Sequence, residues 1–118
     1  MVIKIKNKEY EVRFGIRFIR ELDKANVISA NSVKLGAGLE LKVPQLLGYD
    51  AVALSDVLYT GTVTEKPRPT AGEIDDYVEN HEDIEKLFDE VIEELKKSNA
   101  SRLKMAKLMQ ELPEEPDQ

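Results

Sequence analysis

The sequence predicts an α+β fold that is mainly α-helical: an N-terminal β-hairpin followed by a compact bundle of about five or six helices. Three observations carry this. Residues 2–6 (VIKIK) and 9–14 (EYEVRF) alternate apolar and polar, the period of half-buried strands, with only Asn7 and Lys8 between them. Past Gly15 the period changes to the helical one. Most of the remaining chain then falls into apolar stretches at helical spacing, punctuated by Gly, Pro, Ser, Asn and Asp.

A tight turn at Asn7–Lys8 sets Ile5 against Tyr10, Ile3 against Val12 and Met1 against Phe14 on one face of the hairpin. Lys6 then meets Glu9 and Lys4 meets Glu11 on the other. A slip of one residue would bury the lysines, so the two faces are strongly specified. In the first helix Phe18, Ile19 and Leu22 share one side while Arg17, Arg20, Asp23 and Lys24 take the other.

Asn26–Ser32 has no sustained period and reads as a connection. Leu35, Leu39, Val43, Leu46 and Leu47 follow helical spacing, with Gly36, Ala37 and Gly38 able to allow close packing or merely to lower helicity. Pro44 removes a hydrogen bond and crowds the preceding turn, which predicts a break or kink near Lys42–Pro44. Gly48 ends that piece, and Asp50 is placed to cap a helix running from Ala51 to Tyr59 that is apolar on most sides, the candidate centre of the core. The stretch TGTVTEKPRP reads as an extended loop, because Pro67 and Pro69 disfavour helix in the residues before them.

Thr70 and Glu73 have the spacing of a capping box, opening a helix that buries Ile74, Tyr77 and Val78. Asn80 is placed to cap the long helix that follows, whose stripe is Ile84, Leu87, Phe88, Val91 and Leu95. Its acids fill the first turn and Lys96 and Lys97 the last, so both ends complement the helix dipole. Ser98 and Asn99 interrupt it and are placed to cap a final helix containing Leu103, Met105, Ala106, Leu108, Met109 and Leu112. The sequence thus predicts one globular domain over residues 1–112 (hairpin 2–14, helices thereafter) and a disordered acidic tail over 113–118.

The formal charge of −6 conceals a segregation. Residues 1–42 carry nine Lys/Arg against five Asp/Glu, whereas residues 73–94 carry eleven acids against Lys86 alone. That acidic stretch would repel a polyanion, and the basic front lacks the arginine and aromatic surface that single-stranded nucleic acid needs. No nucleic-acid partner is expected. Nor is a membrane partner, since no run approaches the roughly 18 apolar residues of a spanning helix, and the opening alternation is unlike a signal peptide.

Catalysis needs convergent reactive groups, and the chain has no cysteine and one histidine. His81 has only carboxylates around it to recruit, a surface pattern more than a metal site. No serine or threonine has a histidine base at recognisable spacing, and no glycine-rich loop opens a helix on the nucleotide pattern. The sequence predicts no enzyme, no cofactor and no metal. The final helix spreads apolar side chains over adjoining faces, with Met105 and Met109 of the adaptable kind. Leu103, Met105, Leu108, Met109 and Leu112 are therefore the candidate protein-binding residues, with Arg17 and Arg20 of the first helix as the second candidate.

The stretch NKEYEVRFGIRFIRELDK resembles the opening of the tail assembly chaperones of long-tailed phages and prophages of Gram-positive bacteria. GAGLELKVPQLL, ALSDVLYTGT, RPTAGEIDDYVE and LFDEVIEELKKSN resemble successive helices of that family, so the likeness spans most of residues 3–104. It rests on pattern, for none of these is a catalytic signature. The resemblance implies a chaperone that binds and solubilises the tape measure protein, recruits tail tube subunits, works in the cytoplasm of the bacterial host and is left out of the mature virion. It also implies that this chain is the short form of a pair whose longer member arises by frameshifting. The charge segregation adds head-to-tail self-association into a ring or spiral. The alternative is a small phage-encoded regulatory or adaptor protein that forms a defined complex and solubilises nothing.

Overall fold

A computed structural model describes residues 1–112. The acidic tail expected over 113–118 lies outside the described residues. The elements are β1 (Val2–Ile5), β2 (Lys8–Glu11), α1 (Ile16–Ala25), β3 (Val27–Ala30), β4 (Val33–Gly36), α2 (Gly38–Leu47), α3 (Ala51–Gly61), α4 (Ala71–Glu79), α5 (Ile84–Lys97) and α6 (Arg102–Glu111). The fold is the expected N-terminal hairpin with a mainly helical body of six helices.

The first hairpin keeps the expected faces and corrects the expected pairs. Ile3 lies opposite Tyr10, Lys4 opposite Glu9 and Ile5 opposite Lys8, and Met1 and Val12 exchange both main-chain bonds, at 3.0 and 2.7 Å. The ladder is displaced by two residues, which preserves the side-chain alternation, so Ile3, Ile5, Tyr10 and Val12 are still buried together. The turn residues are Lys6 (φ 50°) and Asn7 (φ 65°), not Asn7 and Lys8. A two-residue turn that matches strand twist needs positive φ at both centres, and Asn7 takes the second of them while Lys8 returns to an extended strand. Phe14 faces no strand partner, because the chain leaves the ladder at Arg13, whose N–H donates to Gly61 O at 2.9 Å.

A second hairpin occupies the segment expected to be a connection and the start of a helix. β3 and β4 pair Ile28 with Leu35 and Ala30 with Val33 around Asn31 (φ 52°) and Ser32 (φ 65°). Leu35 thus belongs to a strand and not to the helical stripe. The base of this hairpin is clamped to α1: Ala37 N–H donates to Asn26 O at 2.7 Å, Asn26 Nδ2 to Leu22 O at 2.8 Å, and Gly38 N–H to Asp23 Oδ1 at 2.9 Å. Asp23 in this way caps α2 from another helix. The glycines permit that approach, since a Cβ at Gly36 would stand 2.5 Å from Asp23 Cβ and one at Gly38 2.8 Å from Leu22 Cγ. They serve the junction, not a helix–helix contact.

α2 continues through Pro44, where a break or kink was expected. The proline costs one main-chain bond, and Leu39, Val43 and Leu46 offset it by burying their side chains on both sides of it. At the end of α2 Tyr49 adopts the left-handed conformation (φ 60°), while Tyr49 and Asp50 N–H groups close on Leu46 O and Gln45 O at 3.1 and 3.0 Å. Glycine usually takes this place, and a tyrosine there costs about 1 kcal/mol.

Asp50 caps α3 through Ala53 N–H at 3.0 Å, and α3 buries Ala53, Leu54, Val57 and Leu58, so it lies at the centre of the core as expected. The capping box of Thr70 and Glu73 is present. Asp83 caps α5, accepting from Lys86 N–H at 3.1 Å. Asn80 instead ends α4, because its N–H and Nδ2 both donate to Asp76 O, at 3.0 and 2.9 Å. Ser101, and not Ser98 or Asn99, stands at the start of α6, with its hydroxyl turned back onto Leu95 O at 2.6 Å. One contiguous core collects side chains from β1 through α6, with Val43, Leu46, Leu54, Leu58, Val91 and Leu95 fully enclosed.

Candidate protein-binding surfaces

α6 is held to the body by Met105, which is wholly buried, by half-buried Leu108, and by an ion pair of Lys104 with Glu40 of α2 at 3.1 Å. Met105, Leu108 and half-buried Leu112 recur at the three- and four-residue spacing of one helical face, and that face looks inward. Leu103 points away from it and is 71% exposed, while Met109 on the flank is 37% exposed. The expected binding helix is therefore divided. Leu103 is outward and Met109 lies on the flank, four residues from Met105, whereas Met105, expected among the partner-contacting residues, completes the core. Arg17 and Arg20 are exposed on the outer side of α1, opposite buried Phe18 and Leu22.

Two apolar surfaces were not foreseen. The first is the arm formed by β3 and β4. Ile28, Ala30, Val33 and Leu35 share one face of the ladder and Ser29 and Lys34 the other, yet every residue of both strands is exposed. The signal was present in the sequence as a second alternation around Asn31–Ser32, the same pattern that identified the first hairpin.

The second is a cleft of about 310 Å³ beyond the end of α2, lined by Tyr49, Ala51, Ile84, Glu85 and Phe88. Buried Phe88 forms part of its wall, and the Tyr49 ring stands edge-on to it with centroids 5.4 Å apart. Tyr49 is 57% exposed despite its strained backbone. Strain retained at an exposed aromatic residue is a mark of a contact surface.

The polar features lead to structure, not chemistry. A cleft of about 350 Å³ between α1 and α3 contains Lys42 and Asp56, paired at 3.0 Å, and Arg68, whose guanidinium lies 3.8 Å from the Tyr59 ring centre. Arg68 also donates to Tyr59 O at 2.8 Å and to Thr62 Oγ1 at 3.1 Å, so its donors are committed to holding the loop after α3. Ser55 Oγ donates to Asp75, tying α3 to α4. His81 Nδ1 accepts from Asp83 N–H at 3.0 Å and its ring stands edge-on to Tyr77, at the turn between α4 and α5. Among the described residues no three His, Cys, Asp or Glu side chains come together as a metal site. No described helix is long and apolar enough to cross a membrane.

A family model described as phage tail assembly chaperone protein, TAC, matches residues 2–110. No curated protein and no solved structure matches the chain.

Proposed function

The chain belongs to the phage tail assembly chaperone family, and from that premise we propose that it binds the tape measure protein, keeps that long polypeptide soluble and recruits tail tube subunits to it. The observation that carries this reading is the outward placement of Leu103 on α6, with Met109 exposed on the flank, on a helix already docked through Met105. Such side chains add nothing to the core and offer an apolar client a place to rest. Arg17 and Arg20 supply a second, basic surface on α1. Residues 1–112 act as one globular unit in the host cytoplasm, and the chaperone leaves before the virion is complete.

Copies of the chain associate head to tail, the basic front of one against the acidic 73–94 stretch of the next, which suits a factor that coats an extended client. The test is co-expression with the tape measure protein. A chaperone raises the soluble yield of that protein and co-purifies with it. An adaptor that merely forms a defined complex would leave its solubility unchanged.

A further inference from the structure

We propose that the β3–β4 arm is the donor half of the contact between copies, and that the Tyr49–Ile84–Phe88 cleft of the next copy is its acceptor. The proposal rests on the self-association reading above and adds to it the two surfaces.

The arm presents the cross-strand pairs Ile28–Leu35 and Ala30–Val33 on one exposed face. Among the described residues nothing covers that face, although a two-stranded hairpin by itself is only marginally stable in water. Its base is clamped by Asp23 and Asn26 of α1, so the arm is presented in a set direction. The cleft supplies the complementary shape and chemistry: a concave apolar site with Ile84 and the Tyr49 ring at its exposed margin.

Charge selects the pairing. Lys34 is the only charged residue in β3 and β4, and Glu85 is the only charged residue lining the cleft, with Glu82, Asp83 and Asp89 close to it in sequence. Lys34 lies on the arm's other face from its apolar side and Lys86 offsets one of those acids, so the attraction acts at range: an arm of net positive charge approaches a rim of net negative charge, which steers the apolar face toward the cleft.

Position makes the contact propagate. The arm leaves the chain just before α2 and the cleft lies just past its end, about 15 Å further along the axis of a ten-residue helix. Both are exposed in the same chain, so neither satisfies the other internally. A copy that inserts its arm into a neighbour keeps its own cleft open for a third, which is the requirement for a heterologous contact that closes into a ring or runs on as a spiral. An apolar client would account for either surface alone, but it would not account for their opposite charge or their placement at the two ends of one helix.

The experiment uses the full chain, with sedimentation velocity across a concentration series. Ile28→Asp disables the arm and Tyr49→Gly disables the cleft. Tyr49→Gly also relieves the left-handed backbone, so its melting temperature holds or rises while its association falls at least tenfold, an outcome that misfolding cannot produce. Each variant alone sediments as a monomer, and an equimolar mixture forms a dimer and stops there, since the single intact arm and single intact cleft of each pair are then both occupied. Wild-type-like assembly by both variants shows that copies associate through other surfaces and overturns the proposal while leaving self-association intact. Two monomeric variants that fail to dimerise on mixing overturn it as well. A wild-type chain that stays monomeric at every concentration rejects the self-association reading itself. An Ile28→Asp variant that assembles normally but no longer retains the tape measure protein assigns the arm to the client and rejects it as the donor.

Discussion

The Ser98 hydroxyl donates a 2.6 Å hydrogen bond to the main-chain carbonyl of Phe14, across 84 residues of sequence. It fastens the last residue of the first hairpin segment to the end of α5, and Arg13 N–H donating to Gly61 O at 2.9 Å fastens the same segment to the end of α3. An isolated two-stranded hairpin would fray in water. Here its single exit, Arg13–Phe14, is tied to the C-terminal ends of two core helices, while Ile3, Val12 and Phe14 are buried beneath it. The hairpin is thus part of the body, in contrast to the arm, which is held only at its base.

Ser98→Ala should lower stability by about 1–3 kcal/mol, because a part-buried carbonyl loses its donor. Gly61→Ala should have a similar effect for a different reason, since its Cβ would overlap Val12 Cγ1. Thermal melts of the two variants check both. An unchanged Ser98→Ala melt would mean that water replaces the hydroxyl and that the hairpin is anchored by packing alone.

The position of the first turn gives a prediction of opposite signs. Lys6 has positive φ and Lys8 lies in β2 opposite Ile5. Lys6→Asn should therefore stabilise, by up to about 1 kcal/mol, because asparagine tolerates the left-handed region. Lys8→Gly should destabilise by about 0.5–1 kcal/mol, as glycine does within a strand. The reverse order in denaturant titrations would restore the turn to Asn7–Lys8. Lys4→Gln should cost little in either case, whereas Ile3→Asp should unfold the hairpin by burying a charge without a partner.

These residues also show what the sequence could reveal. Alternation specified which side of the first hairpin is buried, and that survives a two-residue displacement of the pairing, but alternation alone does not choose between turns one residue apart. The long stripes of α3 and α5 and the Thr70–Glu73 box were legible because each answers to a strong local rule. The second hairpin was hidden for a physical reason. Ile28 and Leu35 alternate with Ser29 and Lys34, but Leu35 also stands four residues before Leu39, and that helical spacing drew the expected helix back into what is β4. Of the candidate surfaces, α6 was legible as partly outward, although which methionine faced the core required the position of the body. The cleft brings Tyr49 beside Ile84 and Phe88, a juxtaposition of distant segments that no local pattern encodes.

The capping box predicts an acid-dependent difference. The Glu73 carboxyl is held below the ordinary value of 4.5 first by the main-chain N–H of Thr70; desolvation, next in size, opposes it, and the Thr70 hydroxyl and the charges of Lys6 and Lys8 lower it further. A lowered folded-state pKa contributes stability that is fully present above the ordinary carboxylate range and is lost as pH falls through the folded value. Glu73→Gln should thus melt below wild type at neutral pH, and the gap should close as the pH falls through and below the ordinary carboxylate range. Thr70→Ala should cost about 1 kcal/mol at neutral pH through the lost cap. A gap between wild type and Glu73→Gln that widens in acid would reverse the assigned sign.

The two faces of α6 separate folding from client binding. Met105→Ala should cost about 2–5 kcal/mol, since the side chain is fully enclosed between α6 and the body. Leu103→Glu on the outward side and Met109→Glu on the exposed flank should each change stability by no more than about 0.5 kcal/mol. If the outward side receives the tape measure protein, both glutamate variants should melt like wild type and still lose that protein on co-purification, because a charge placed in an apolar contact must be desolvated without a partner. Leu108→Glu serves as the internal control: its half-buried side chain packs on the core, so it should lower the melting temperature. Folded Leu103→Glu and Met109→Glu chains that retain the client in full would move the binding surface off α6. Charge reversal at Arg17 and Arg20 would then be the decisive pair, since these exposed residues occupy the outer side of α1 and take no part in enclosing Phe18 and Leu22.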